Sequence, residues 1–286
     1  MDAFRDRIRE QGRLHRRDLP WRYIEDPYAV LVSEVMLQQT QVKRVLDYWP
    51  RFLALFPTID ALAAAGTSDV LEQWQGLGYN RRALALKRCA DICASEHGGR
   101  LPETADELVK LPGIGPATAA GVVAFALDRP ALYLETNVRT VFLHELFPGE
   151  EGVKDAALTP LVELACPADG VRDWYYALLD YGAHLKATLP NPSRRSAHHT
   201  RQSASRARGA RSAPSSCASC WRRAPRASTR RRPARCSMRP SAVAGRDGVG
   251  DEQIASISSA HRRPPEGLLQ ACRRAARILM EGKSWG

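Results

Sequence analysis

The chain has 286 residues, 44% of them hydrophobic, which accommodates one large or two small domains with a packed core. It carries a formal net charge of +11 at pH 7, and its seven irregularly spaced cysteines do not indicate a disulfide framework. No apolar run approaches the ~20 residues of a membrane span, and residues 1–6 lack the apolar segment of a signal peptide, so we expect a cytoplasmic protein without membrane attachment.

Apolar residues recur at helical spacing through residues 1–200 and predict an all-α globular domain. Prolines separate the predicted helices, and the alternation typical of a strand is confined to residues 131–134, which we interpret as extended chain entering the next helix. The predicted helices cover residues 28–45, 48–56, 70–74, 84–93, 108–111, 117–127, 137–146 and 174–185.

The first predicted helix contains Ser33-Glu34-Val35-Met36-Leu37-Gln38-Gln39-Thr40-Gln41. Apolar residues flank Glu34 on both sides, and burial would raise its pKa so that it carries a proton at neutral pH. The amides of Gln38 and Gln39 and the hydroxyl of Thr40 follow on the next helical turn, where they can donate and accept at base edges. The alternative is a solvated glutamate on the outer face of the helix.

Residues 111–119 read Leu-Pro-Gly-Ile-Gly-Pro-Ala-Thr-Ala and predict a helix, a tight glycine turn and a second helix. Pro112 stops the incoming helix, and Gly113 and Gly115 allow positive φ angles and close backbone approach. Ile114 can fill the gap between the two helices. Such a turn presents backbone N–H groups and a helix N-terminus to a phosphate, so it can hold DNA without reading its sequence. The alternative is an ordinary packing corner.

The positive charge lies in the C-terminal third of the chain. Residues 201–286 contain 19 Lys and Arg against 5 Asp and Glu, whereas residues 1–200 contain 23 against 26. Residues 201–240 lack Ile, Leu, Val, Phe, Asp and Glu, so they cannot bury enough apolar surface to offset their ordering entropy. We therefore expect a globular domain over residues 1–200 and a disordered, basic, low-complexity tail over 201–286, in which 266–281 could form one short helix.

Five motifs follow one another along the globular part: Leu19-Pro20-Trp21-Arg22, residues 33–41, Gly76-Leu77-Gly78-Tyr79, residues 111–115 and Asn137-Val138-Arg139. Over residues 14–190 this order resembles the MutY-type adenine DNA glycosylases of the helix-hairpin-helix, endonuclease III-like base excision repair superfamily. The resemblance implies an all-α, two-lobed fold with a DNA cleft between the lobes. It also implies a monomeric, nucleoid-associated enzyme that acts on double-stranded DNA containing a mispaired or damaged base.

The resemblance assigns catalytic roles to two glutamates. Glu34 would protonate the adenine ring, and Glu135, in Leu134-Glu135-Thr136-Asn137, stands where the family has an aspartate that stabilises the oxocarbenium-like sugar. Glu135 is one methylene longer, and a misplacement of ~1 Å can cost ~100-fold in rate, so the change could alter substrate choice or weaken activity. The alternative role of Glu135 is a helix N-terminal carboxylate, with Thr136 and Asn137 as caps.

Residue 117 bears on the type of reaction, because bifunctional relatives place a nucleophilic lysine there and this chain has Ala117. We therefore expect a monofunctional glycosylase that removes adenine opposite guanine or 8-oxoguanine. Gln38, Gln39 and Tyr79 match positions that, in the family, enter the duplex or contact the flipped base. Tyr79 could equally be a half-buried core residue. The full set of expected DNA contacts is Gln38, Gln39, Thr40, Tyr79, Leu111, Gly113, Ile114, Gly115 and Thr118. We interpret Trp21, Trp49, Trp74 and Asp180 as packing residues.

Most relatives hold a [4Fe–4S] cluster through four cysteines after the last helix of the domain. Residues 190–195 read Pro-Asn-Pro-Ser-Arg-Arg here and supply no thiolate, so we predict no cluster and no other metal. Cys217, Cys220 and Cys236 form only a weak candidate for zinc. The resemblance also implies a monovalent cation at the hairpin.

The segment up to Ser203 resembles a cluster-less subgroup, and the chain departs from it at Ala204. In that subgroup the sequence continues as F-E-G-S-x-R-Q. A shifted reading frame over residues 204–210 would encode Leu-Glu-Gly-Ser-Arg-Arg, which nearly restores that pattern, so a frameshift is our hypothesis for the tail. Nothing in 201–286 resembles the domain with which the family recognises 8-oxoguanine. Two other functions stay open: a thymine or uracil mismatch glycosylase on the same scaffold, and a non-catalytic DNA-binding relative or decayed gene product.

Overall fold

The computed structural model describes residues 1–197, and this part of the chain is helical, as predicted. The expected disorder of the tail, its short helix, the zinc candidate and the frameshift hypothesis lie outside the described residues. The helices are α1 (Asp2–Leu14), α2 (Pro27–Leu37), α3 (Val42–Leu55), α4 (Ile59–Ala64), α5 (Thr67–Trp74), α6 (Arg81–Glu96), α7 (Ala105–Leu108), α8 (Pro116–Ala126), α9 (Thr136–Leu146), α10 (Asp155–Ala165) and α11 (Val171–Thr188), with 3₁₀ turns at Pro20–Tyr23 and Pro192–Arg195.

The helices form two lobes. In one lobe α6 packs against α2, α4 and α5, and α3 packs against α2 and α5. In the other lobe α11 lies against α1 and α9, and α10 adds to α9. Helix α8 joins the lobes because it contacts α2 on one side and α11 on the other. Trp21, Trp49 and Trp74 are buried, as expected of packing residues.

Our prediction of one helix over residues 28–45 was wrong. Helix α2 begins after Asp26, whose carboxylate accepts from the N–H groups of Tyr28 and Ala29, and it ends at Leu37. Residues 38–41 form a turn, so Gln38, Gln39 and Thr40 do not lie on a further helical turn. The physical reason is the buried guanidinium of Arg82 in α6. It donates to the carbonyl oxygens of Val35 and Met36 at the end of α2, in place of further helical N–H donors.

Prolines did not always separate helices. Helix α3 continues through Pro50, and α10 continues through Pro160. A proline inside a helix costs about 3 kcal/mol, and the apolar face of α3 buries Val45, Trp49 and Phe52, which offsets that cost. The boundary predicted between 45 and 48 is therefore absent.

Helices α1, α4 and α10 were not predicted. Helix α1 buries Phe4, Ile8 and Gly12 at a spacing of four residues, a signal that was available in the sequence. The side chain of Thr58 caps α4, and Thr104 caps α7, which ends at Leu108 rather than continuing to 111. Residues 131–134 lie in irregular chain before α9, as interpreted from the sequence.

Asp180 is a structural residue of α11. Its carboxylate accepts two hydrogen bonds from Arg22, at 2.7 and 2.6 Å, and one from Arg17 Nε at 2.6 Å. These contacts tie the segment after α1 to α11 and agree with the interpretation of Asp180 as a packing residue. Within residues 1–197 no helix combines the length and apolar character needed to cross a membrane.

Candidate active site

Glu34 lies on α2 with its carboxyl group enclosed by other parts of the protein. The pKa of Glu34 is raised to about 8, chiefly by burial. The hydrogen bond from Tyr133 lowers this pKa, and the charge of Glu135 raises it. This pKa favours the protonated group at neutral pH, and the enclosure of the carboxyl group argues against the solvated outer-face alternative. The residue as a whole is only half-buried, so the site is not sealed from solvent.

Gly121 of α8 makes the space that the Glu34 carboxyl occupies. A Cβ atom at residue 121 would lie 2.5 Å from Glu34 Oε2 and 3.0 Å from Tyr133 Cε2. Both distances are too short for a side chain to be accommodated without displacing these groups. Sequence reasoning missed this role because Gly121 lies in a run of small residues that indicates helix packing in general.

Tyr133 provides a hydrogen-bond donor to Glu34. Its hydroxyl lies 3.3 Å from Glu34 Oε2, and its ring packs edge-on against Phe125 and Tyr175, with ring centroids 5.1 and 5.4 Å apart. Burial and the neighbouring carboxyl groups hold the pKa of Tyr133 well above its usual value, so it remains a phenol. The sequence identified only extended chain here and did not identify this residue.

Glu135 caps α9. Its carboxylate accepts from the N–H groups of Asn137 at 2.5 Å and Val138 at 3.1 Å, so Glu135 itself is the cap that was assigned to Thr136 and Asn137. Burial raises the pKa of Glu135, while the Lys186 ammonium and the capping amides act in the opposite direction. Burial lowers the pKa of Lys186, and the charge of Glu135 opposes that change, an electrostatic interaction that sequence reasoning missed.

Two surface turns carry the residues expected to enter DNA. In the wedge turn (residues 38–41), Gln38 Nε2 donates to Thr118 Oγ1 at 3.1 Å, and Gln39 has a φ of +56°. In the tyrosine turn (residues 76–80), Tyr79 is 51% exposed and has a φ of +50°. The exposure of Tyr79 rules out the core-residue alternative. Arg82 connects the two turns, because its Nη2 donates both to Thr40 Oγ1 in the wedge turn and to the Gly78 carbonyl in the tyrosine turn.

In the hairpin at residues 111–115, two side chains pack in the core and two glycines shape the backbone. The side chains of Leu111 and Ile114 are buried, so they anchor the turn. Gly113 has a φ of +78°, and a Cβ there would lie 2.6 Å from Ala85 Cβ. Gly115 is the N-cap of α8 with a φ of −85°, so our expectation of a positive φ holds for Gly113 but not for Gly115.

The space around Gly115 leaves the start of α8 accessible. A Cβ at residue 115 would meet no atom within 4 Å. The first-turn N–H groups of a helix have no helical acceptor, so those of Ala117 and Thr118 can bind an anion. The Thr118 side chain is buried, and its hydroxyl accepts from Gln38 Nε2.

The donor set for a cluster or metal ion is not present in the described part. Residues 192–195 form a 3₁₀ turn that contains no cysteine, and Cys89, Cys93 and Cys166 are free thiols. No group of three or more His, Cys, Asp or Glu in residues 1–197 is arranged to hold a metal ion.

A family model described as HhH-GPD superfamily base excision DNA repair protein matches residues 32–177. The chain is 47% identical over 126 residues to the adenine DNA glycosylase of Mycobacterium tuberculosis, covering 44% of this chain and 41% of the relative. It is 39% identical over 170 residues to the adenine DNA glycosylase of Mycolicibacterium smegmatis, covering 59% of this chain and 58% of the relative. The chain thus spans less than two thirds of the length of these relatives.

Solved structures share the two-lobed fold. A thermostable thymine-DNA glycosylase superposes with a TM-score of 0.58 at 27% identity, covering 64% of this chain and 85% of that chain. The endonuclease III of a non-covalent DNA complex superposes with a TM-score of 0.52 at 19% identity, covering 64% and 84%. These similarities confirm the predicted fold class.

Proposed function

Since this chain belongs to the HhH-GPD superfamily of base excision DNA repair proteins, we propose that it is a DNA glycosylase that removes adenine mispaired with guanine or 8-oxoguanine. Its similarity to two mycobacterial adenine DNA glycosylases supports adenine as the target. The observation that carries the proposal is the Glu34 carboxyl, whose pKa burial raises to about 8 next to Tyr133 and Glu135. Two carboxyl groups in different environments are what acid-assisted glycosidic cleavage requires.

In the proposed reaction Glu34 donates its proton to a ring nitrogen of the flipped adenine. The bond between the base and C1′ of the sugar breaks, and its electron pair leaves with the protonated base. The negative charge of Glu135, held by the first amides of α9, stabilises the positive charge that develops on the sugar. Water then adds to C1′ and gives a proton to the carboxylate that Glu34 has become, which leaves an abasic site and restores the acid.

The proposed enzyme is monofunctional. Ala117 lies in the first turn of α8, at the residue where a lysine nucleophile would be needed for strand cleavage. Alanine forms no Schiff base with the sugar, so the product would carry an intact strand until alkali cleaves it.

Double-stranded DNA is the proposed partner, lying across the cleft between the lobes. The hairpin amides and the start of α8 would bind the phosphate backbone, with Gly113 and Gly115 permitting close approach and Leu111 and Ile114 anchoring the turn. The wedge turn and Tyr79 would enter the base stack. Carbonyl oxygens of the hairpin are suitable donors for the monovalent cation that the resemblance implies, and no step of the reaction depends on it.

We further propose a monomeric, nucleoid-associated enzyme whose glycosylase domain covers residues 1–200, with 201–286 as a separate tail. The donor set of residues 190–197 does not fit a [4Fe–4S] cluster, because this segment contains no cysteine.

The test is single-turnover base release from four duplexes, with adenine opposite 8-oxoguanine or guanine and with thymine or uracil opposite guanine. Alkali-dependent cleavage at adenine, lost in Glu34→Gln, is the expected result. Cleavage at thymine or uracil alone would replace the proposal with a mismatch glycosylase, an alternative that the likeness to a thymine-DNA glycosylase favours. Binding without base release from any duplex would indicate a non-catalytic relative.

A further inference from the structure

Arg82, at the start of α6, is buried directly beneath the two surface turns. Its guanidinium donates to backbone groups of both turns and to one side chain. Nη1 contacts the carbonyl oxygens of Val35 (2.9 Å), Met36 (3.0 Å) and Gln38, and Nη2 contacts those of Leu77 (3.3 Å) and Gly78 (3.1 Å) as well as Thr40 Oγ1 (3.0 Å). Nη1 therefore binds the end of α2 and the wedge turn, whereas Nη2 binds mainly the tyrosine turn.

Both turns contain a residue in a backbone conformation that side chains disfavour. Gln39 and Tyr79 have φ angles of +56° and +50°. Such a conformation is unfavourable for a residue with a side chain and persists only where its surroundings impose it. The Arg82 contacts lie on the immediate neighbours of both residues, namely Gln38 and Thr40 on one side and Gly78 on the other.

Two aromatic rings flank the Arg82 guanidinium. Its Cζ lies 5.6 Å from the centroid of the Trp74 ring and 5.4 Å from that of Tyr79. A flat group held in this way directs its N–H donors along set directions, which a lysine ammonium on a flexible stem cannot reproduce. Other contacts reach the tyrosine turn singly, such as Arg44 Nη1 to the Gly76 carbonyl at 3.2 Å.

We propose that Arg82 is a positioning residue that holds the wedge turn and the tyrosine turn in one fixed arrangement, so that Gln39 and Tyr79 enter the duplex together when the base is extruded. The role of Arg82 in base extrusion rests on the proposed function, whereas its coupling of the two turns in the free protein does not. The guanidinium acts through the two turns and does not touch the reacting atoms. It sets how readily a paired base is flipped, whereas Glu34 and Glu135 set how fast a flipped base is cleaved.

The structural part is tested by hydrogen exchange on the free protein. In Arg82→Lys and Arg82→Gln, the hydrogen-bonded amides of Thr40 in the wedge turn and Leu77 in the tyrosine turn should exchange at least about 10-fold faster, whereas those of α1 and α11 should exchange as in the parent. The proposal is overturned if neither turn responds, or if only one does. Should Arg82→Gln unfold, Arg82→Lys, which keeps the charge and three N–H donors, supplies the result.

The functional part compares two substrates that differ only in the cost of flipping. Single-turnover excision of adenine is measured in a fully paired duplex opposite 8-oxoguanine and in a three-base bubble. Arg82→Lys should lose at least about 10-fold on the paired duplex and at most about 2-fold on the bubble, because an unpaired base needs little extrusion. Equal losses on both substrates would show a general structural defect and overturn the proposal.

Arg100→Lys provides the matched control, since Arg100 is an exposed arginine of the same lobe and should retain both rates. If the parent protein excises no adenine from either substrate, the proposed function fails. The exchange experiment then still decides whether Arg82 couples the turns.

Discussion

The Tyr133 hydroxyl donates to Glu34 Oε2 at 3.3 Å, although the two residues are 99 positions apart in the chain. This hydrogen bond favours the ionised carboxylate and so opposes the burial that raises the pKa of Glu34. It therefore strengthens as Glu34 releases its proton. An interaction that is stronger after proton transfer than before it accelerates the transfer.

Tyr133→Phe should move the pH dependence of base release. Because the lost hydrogen bond lowers the pKa of Glu34, the variant's pKa should lie above that of the parent, which is about 8. The fall in single-turnover rate at high pH should then begin at a higher pH, while the maximum rate drops by about 10–100-fold because the forming carboxylate has lost a donor. A pH–rate profile whose falling limb stays in place or moves to lower pH would contradict this assignment.

Glu34→Gln should stabilise the fold at alkaline pH. The native carboxyl, with a pKa of about 8, binds its proton more tightly than the unfolded chain does, so the parent loses stability as pH rises from about 4.5 to 8. A neutral amide has no such loss. Relative to the parent, the variant should gain on the order of 4 kcal/mol of stability between pH 5 and pH 8.5, measured by urea unfolding. A difference in unfolding free energy between variant and parent that does not change with pH would show that Glu34 does not titrate in this range.

Gly121→Ala should abolish most activity by displacing Glu34. The new Cβ would lie 2.5 Å from Glu34 Oε2, and overpacking of this kind costs about 1–3 kcal/mol even though alanine favours helix formation. We expect a drop in excision rate of at least about 100-fold, since ~1 Å of displacement suffices for it. Gly12→Ala, at the contact of α1 with Ala177 of α11, is the matched control and should lower stability without lowering the rate of the folded enzyme.

Substitutions of Glu135 should separate its charge from its capping role. Glu135→Gln keeps an oxygen acceptor for the amides of Asn137 and Val138 but removes the negative charge, so the excision rate should fall about 100-fold with a small change in stability. Glu135→Asp keeps the charge and a favourable N-cap, so its excision rate should fall less than that of Glu135→Gln. Thermal unfolding and single-turnover rates of both variants give the answer; comparable rates for the two would mean that Glu135 is a cap only.

The two hairpin glycines should respond differently to alanine. Gly113→Ala forces a side chain into a φ of +78° and against Ala85, so it should lower stability by about 1–3 kcal/mol. Gly115→Ala has an ordinary φ and open space, so the fold should tolerate it while the added methyl group obstructs the phosphate. We expect Gly115→Ala to weaken DNA binding about 10-fold at unchanged melting temperature. Undiminished affinity would remove this surface from the DNA interface.

The sequence alone determined the features that depend on neighbouring residues. Helical spacing of apolar side chains specified an all-α protein, proline and glycine specified the hairpin, and the apolar flanks of Glu34 already indicated a buried carboxyl group. These features follow from backbone dihedral preferences and from the burial of one helix face, both of which act over a few residues.

Only the tertiary structure decided the contacts that connect distant segments. The end of α2 at Leu37 depends on a guanidinium 45 positions later, and the environment of Glu34 depends on Gly121 and Tyr133. Periodicity shows which face of a helix is buried but not which residue of another helix meets it. These contacts arise from how α6, α8 and the chain that follows α8 lie against α2, and not from any local pattern.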